Sequence, residues 1–235
     1  MINTYSFSYD GESSLNYGLN IKKRPIIPIA EEEVTSYDIP STNGSKYKHM
    51  GVYSDLEILL SCWFTCEKDK VKSTMREVRK WLVPNKYLSL DDDSEFSYLV
   101  KNIIISEVGE ANGLVASFVI TFVASAYKLH TSAFSTITVE DAILNPFERS
   151  KPIYKLLGEG YATFSVNETE INVNISTSVT IDTEKRIIYN NEGENINSSV
   201  DYFDFEDFYL LNGSNSLSIS DGFTIEVVPM WGEIQ

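Results

Sequence analysis

The chain has 235 residues, 43% of them hydrophobic and 12% aromatic, a composition that marks a folded protein and excludes a disordered one. Its formal net charge of −15 is unevenly placed: residues 1–130 carry 14 basic against 17 acidic side chains, residues 131–235 only 5 against 17. So acidic a second half repels phosphate backbones and anionic lipid surfaces, so neither a nucleic-acid site nor membrane association is expected.

The opening "NTYSFSYDG" alternates Tyr5, Phe7 and Tyr9 with small polar residues, the pattern of a half-buried strand, and Gly11 turns it. It has neither the basic nor the apolar region of a signal peptide. In "LNIKKRPIIPIAEEEVTSYDIP" the prolines at 25, 28 and 40 forbid a helix and disfavour a central strand. This stretch is predicted to be an extended arm or edge ribbon over 24–40. Pro25, Ile26, Ile27, Pro28 and Ile29 are its candidate interface residues, because an isolated arm would expose those isoleucines.

A turn is expected at Asn43-Gly44. "YSDLEILLSCWFTC" follows as a buried strand, apolar on both faces over much of its length. Its two cysteines, Cys62 and Cys66, stand about 13 Å apart along a strand, too far for a disulfide, and read as buried thiols.

One helix is predicted, "DKVKSTMREVRKWL", capped by Asp69 and ended by Pro84. Val71, Met75, Val78, Trp81 and Leu82 form its apolar stripe. A strand, an acidic turn at Asp91–Asp93 and a longer strand come next. The spans 96–108 and 114–128 then make a hairpin around Ala111-Asn112-Gly113. The apolar window 113–129 is interrupted by Ser117, Thr121 and Ser125 and is too short to span a bilayer, so it reads as a long strand.

Near residue 130 both composition and charge change, which places a domain boundary between 1–130 and 131–235. A connector with a short helix over Val139–Leu144 is expected first. Short strands between Gly and Asn turns then follow: "YKLLGEGYATFSVN", "TEINVNISTSVTID", "KRIIYN", "FYLLNG", "SNSLSIS" and "GFTIEVVPM". That spacing predicts a β-sandwich or jelly roll. The fold class expected for the whole chain is mainly β (α+β), with two domains.

No constellation for chemistry emerges. His49 and His130 lie in no nucleophile elbow, and Asp91–Asp93 lack the spacing of a calcium loop. In "DYFDFEDF" (201–208) the aromatics are expected to tuck into the sandwich and leave the acids in water. Tyr154, Tyr161, Tyr189, Tyr202, Tyr209 and Trp231 are potential sugar-stacking aromatics, although most aromatics on short strands are core. No catalytic residue, metal ligand or cofactor is assigned.

In order, these elements resemble a known family. "YSFSYDGESSLNYGLNIKKRP", "IPSTNGSKYKHMGVYSDLEILL", the helix end "REVRKWL" followed by "YLSLDDDSEFSYLV", and the closing "VTIDTEKRIIYN…FYLLNGSNSLSI…FTIEVVPMW" are similar to the distal tail proteins (Dit) of long-tailed phages and prophages of Gram-positive bacteria. The resemblance implies a structural protein of the virion tail tip, made in the host cytoplasm, and not an enzyme. Its N-terminal domain would be a β-sandwich with one helix and a hairpin that forms a hexameric ring. Its C-terminal domain would be a peripheral galectin-like sandwich. Implied partners are further copies of the chain, the tail tube and tape measure proteins, and a tail-associated lysin, fibre or receptor-binding protein. The alternative is a carbohydrate-binding β-sandwich module that contacts the host cell surface.

Overall fold

The computed structural model describes residues 5–40, 43–111, 115–201 and 204–235. The chain separates into two compact units, residues 1–128 with 234–235, and residues 129–233. Among the described residues no helix is long and apolar enough to cross a membrane.

The first unit contains strands β1 (Phe7–Tyr9), β2 (Glu12–Ser13), β3 (Asn20–Ile21), β4 (Glu32–Asp38), β5 (Ser45–Tyr53) and β6 (Leu56–Thr65). Helix α1 (Val71–Trp81) follows, then β7 (Lys86–Leu90), β8 (Asp93–Ile105), β9 (Gly109–Ala111) and β10 (Val115–His130). An antiparallel sheet runs β2-β1-β7-β8-β10-β6-β3, with β9 also paired to β10. The neighbours β8 and β10 realise the predicted hairpin, whose turn at Asn112-Gly113 lies outside the described residues.

Period-two alternation decides which face is core. On β6 Leu56, Ile58, Leu60, Cys62 and Phe64 are buried, and they meet the inward residues Ala116, Phe118, Ile120, Phe122 and Ala124 of β10 in register. The strand is therefore not apolar and buried on both faces, as expected from its composition: Leu59 points outward and is half exposed. Burial pushes the Cys62 thiol up to about 12, while Cys66, just beyond the strand, is only half-buried and both thiols are free.

Helix α1 lays the predicted stripe against this core, with Met75, Val78 and Leu82 buried and Val71 and Trp81 partly so. The capping expectation fails. Asp69 sits inside a 3-10 turn, Lys68–Lys70, and the residue at the helix N-cap is Lys70, with no side-chain cap bond. Trp81 stacks on Tyr17 at 4.2 Å and on Phe7 at 5.6 Å, meets Tyr9 edge-on, and donates its indole N–H to the Tyr9 carbonyl at 3.3 Å.

The second unit is a pair of antiparallel sheets. Its strands are β11 (Ile137–Val139), β12 (Ala142–Asn145), β13 (Ile153–Leu157), β14 (Gly160–Val166), β15 (Thr169–Ile175), β16 (Ser178–Asp182), β17 (Ile187–Asn190), β18 (Gly213–Ile219) and β19 (Thr224–Val228). One sheet runs β11-β19-β13-β16-β17 and the other β12-β18-β14-β15. Tyr154 from the first and Phe164 from the second meet at 5.2 Å, and Phe208 joins them from a 3-10 turn, Phe205–Phe208.

Two expectations are corrected here. Val139–Leu144 is not helical, because long-range pairing of Ile137–Val139 with β19 and of Ala142–Asn145 with β18 outweighs a short apolar run. "FYLLNG" is no strand either: Leu210 makes an isolated bridge to Ser150, and a turn built on Asn215 follows. The buried Asn215 amide accepts from the Leu211 N–H at 2.8 Å and donates to the Leu211 carbonyl at 2.8 Å and the Gly213 carbonyl at 3.1 Å. The acids of 204–207 face solvent while Phe208 is core; Tyr202 and Phe203 lie outside the described residues.

Candidate assembly surface

The Pro-rich arm leaves β3 and crosses its own unit in extended form. Its root is pinned. The Lys22 N–H donates to the Ser61 carbonyl at 2.8 Å, the Ala30 N–H to the Gln235 carbonyl at 3.0 Å, and Arg24 pairs with Asp92. The Tyr5 hydroxyl donates to the same Asp92 carboxylate at 2.5 Å. Burial, reinforced by that carboxylate, raises the Tyr5 pKa well above the phenol range. Asp92 is thus a clasp rather than part of a wholly solvated turn, and Asp93 faces Lys128 at 3.7 Å.

The arm and this turn enclose a cleft of about 540 Å³ that includes Pro25, Ile26 and Ile27. The five arm residues separate into two sets. Pro25, Ile27 and Pro28 are half-buried, whereas Ile26 is 81% and Ile29 80% exposed.

Beyond the arm, β4 and β5 pair only with each other. Their register sets Val34 opposite His49, Ser36 opposite Tyr47 and Tyr37 opposite Lys46, with a bulge between Glu32 and Val34. The ribbon buries neither face. Val34 and Tyr47 stand on one side and Tyr37 on the other, all exposed, and Met50 and Val52 are half exposed as well. A two-stranded hairpin without a covered face is marginally stable in water, and exposed apolar side chains grouped on one element mark a contact surface.

Polar contacts hold the ribbon at its root. The Glu32 carboxylate accepts from the Gly51 N–H at 3.0 Å and pairs with His49 Nδ1 at 2.6 Å. The His49 hydrogen bond, then the Gly51 one, hold the Glu32 pKa below its ordinary value. Gly51 meets the carboxylate at φ +68°, a conformation open to glycine at little cost.

The remaining candidates have structural partners. His130 caps a short 3-10 turn, where its Nδ1 accepts from the Ser132 N–H at 3.2 Å and lies 2.8 Å from the Ser132 hydroxyl. That hydroxyl accepts from the Trp231 indole at 2.9 Å. Among the described residues no group of three His, Cys, Asp or Glu side chains is placed to hold a metal. Of the candidate sugar-stacking aromatics, Tyr154, Tyr209 and Trp231 are buried, Tyr189 is half-buried, and Tyr161 is 83% exposed.

No family model and no curated protein matches the sequence. The fold does have a counterpart among solved structures: the crystal structure of SPP1 Dit (gp 19.1) superposes with a TM-score of 0.70 at 10% identity, over 96% of this chain and 98% of that one. The chain has the Dit fold. SPP1 Dit is described as a paradigm of the hub adsorption apparatus in phages that infect Gram-positive bacteria. At 10% identity the likeness is one of fold, and the resemblance read from the sequence is borne out at that level.

The sequence reading missed the ribbon β4–β5 as a surface. Its turn at Gly44 is legible, but lysines and serines interleave its apolar residues and hide the fact that neither face is covered.

Proposed function

We propose that this protein is a structural hub of a phage tail tip, in which six copies close into a ring through their first units. The observation that carries the reading is the exposed ribbon β4–β5 on a chain with the Dit fold, joined to its unit by an arm that leaves Ile26 and Ile29 in water. A ring of head-to-tail contacts needs two different patches on each subunit, and an outstretched ribbon with a body to receive it supplies both. Pro25, Ile27 and Pro28 then hold the arm while Ile26 and Ile29 meet the neighbour.

Charge supports the arrangement. Residues 131–235, with 17 acidic and 5 basic side chains, would repel one another if crowded at a ring axis. At the periphery, copies separated by more than the Debye length of about 10 Å at 0.1 M salt interact little. The nearly balanced first unit therefore makes the ring contacts and the acidic unit lies outside. Such a ring would join the tail tube and tape measure proteins to a tail-associated lysin, fibre or receptor-binding protein, and would act without catalysis.

The test is the mass of Tyr47→Asp and Val52→Asp variants beside that of the unchanged protein. The proposal expects both to lose assembly while far-UV circular dichroism stays unchanged. Full assembly by both variants would refute the role given to the ribbon.

A further inference from the structure

In the second unit, the outer face of the sheet β12-β18-β14-β15 is unusual for so acidic a protein. The four strands read AILN, GSNSLSI, GYATFSV and TEINVNI, and Glu170 is the one charged residue among them. Inward positions such as Phe164, Ile171, Val173 and Leu217 are core. What the strands turn outward is an array of hydroxyls and amides, with serines at 214, 216 and 218 on the middle strand. Exposed strands ordinarily carry charges, which keep them from associating.

On this face Tyr161 is 83% exposed and stands opposite Asn174 in the β14–β15 register, and its hydroxyl makes no hydrogen bond among the described residues. Two residues along, about 7 Å away, Thr163 stands opposite Asn172. Their orientation is set by a chain of bonds: the Thr163 hydroxyl donates to Asn172 Oδ1 at 2.7 Å, and Asn172 Nδ2 donates to Asp201 at 3.1 Å. An aromatic face thus lies beside a hydrogen-bonded hydroxyl and amide, with the Asn174 amide directly opposite it.

The chemistry selects the occupant. A protein partner would need a contiguous apolar centre, and within these four strands the other large exposed apolar residue, Leu144, is on β12, separated from β14 by β18. An anionic polymer finds no cation on these strands and meets Glu170 and Asp201. A neutral sugar needs a ring to stack on, with donors and acceptors around it for its hydroxyls.

We propose that this face binds a neutral saccharide, with Tyr161 stacking on one sugar ring and Asn174, Asn172 and Thr163 bonding its hydroxyls. The site lies within the second unit and does not depend on ring assembly.

Saturation-transfer difference NMR on the full chain tests it at any oligomeric size. The probes are neutral tetrasaccharides of glucose, galactose and N-acetylglucosamine, with poly(glycerol phosphate) as the anionic control. At least one neutral probe should receive saturation, and Tyr161→Ala should weaken its binding about tenfold or more. Asn174→Ala should weaken it less, and Tyr161→Phe should retain it. Because Tyr161 is exposed, these variants are expected to fold. The proposal is overturned if no neutral probe responds at about 10 mM, if Tyr161→Ala leaves the response unchanged, or if poly(glycerol phosphate) binds better than every neutral probe. It is equally overturned if Tyr161→Ala lowers the mass of the particle, which would assign the face to a second copy.

Discussion

Trp81 closes the first unit's core at the end of α1, so Trp81→Ala probes how that unit is held together. Complete burial of a tryptophan makes its truncation cost about 3–5 kcal/mol. Trp81 is only partly buried, which lowers the transfer part. It nevertheless stacks on Tyr17 and Phe7, meets Tyr9 edge-on, and gives its indole N–H to the Tyr9 carbonyl. Partial burial of the ring plus a lost hydrogen bond of about 1 kcal/mol puts the expected cost near 3 kcal/mol. At about 2–4 °C per kcal/mol for a chain of this size, the first unit's transition should fall by roughly 10 °C. Trp81→Phe keeps a stacking ring but loses the N–H, and should cost about 1–2 kcal/mol. The assay is urea unfolding followed by circular dichroism, with a fit that allows the two units separate transitions. A loss below about 1 kcal/mol for Trp81→Ala would refute the reasoning, because three aromatic contacts would then be stabilising almost nothing.

Asn215→Ala removes the amide that ties Leu211 and Gly213 into one turn, leaving the Leu211 N–H and two carbonyls to find other partners; it should cost the second unit about 2–4 kcal/mol in the same denaturation experiment. The root of the ribbon should respond to acid. The folded-state pKa of Glu32 is depressed, so its contribution is present above the ordinary value of 4.5 and is lost as pH falls through the lower folded value. Hydrogen exchange in β4 and β5, corrected for intrinsic rates, should therefore rise below about pH 4, and Glu32→Gln should show raised exchange already at neutral pH. Exchange indifferent to both would mean that the Glu32 contacts do not hold the ribbon.

Much of the fold is legible in local periodicity because period-two and period-3.6 burial are local properties. Phe7 and Tyr9 on β1, and Met75 and Val78 on α1, are buried as their spacing implies. Readings fail where a long-range choice decides. Val139–Leu144 carries a short apolar run compatible with either helix or strand, and pairing with β18 and β19 settles it as two strands. Asp69 has the right residue type for a helix cap, yet a preceding 3-10 turn moves the helix start past it. The candidate surface was half legible. The prolines at 25 and 28 mark an extended arm, but that Ile26 and Ile29 face water is not a local property, since the arm is pinned by partners far away in sequence, Ser61, Asp92 and Gln235. Likewise, Tyr161 and Tyr154 look alike in sequence, and the opposite directions of their side chains on the two sheets are fixed only by register.

The central claim is that the chain assembles with itself, and the most direct measurement is its mass in solution by multi-angle light scattering at micromolar concentration. A chain of 26.6 kDa that closes into a hexamer should give a discrete species of about six times that mass, stable on dilution through the micromolar range. A single species at 26.6 kDa, unchanged as concentration is raised, would contradict the account.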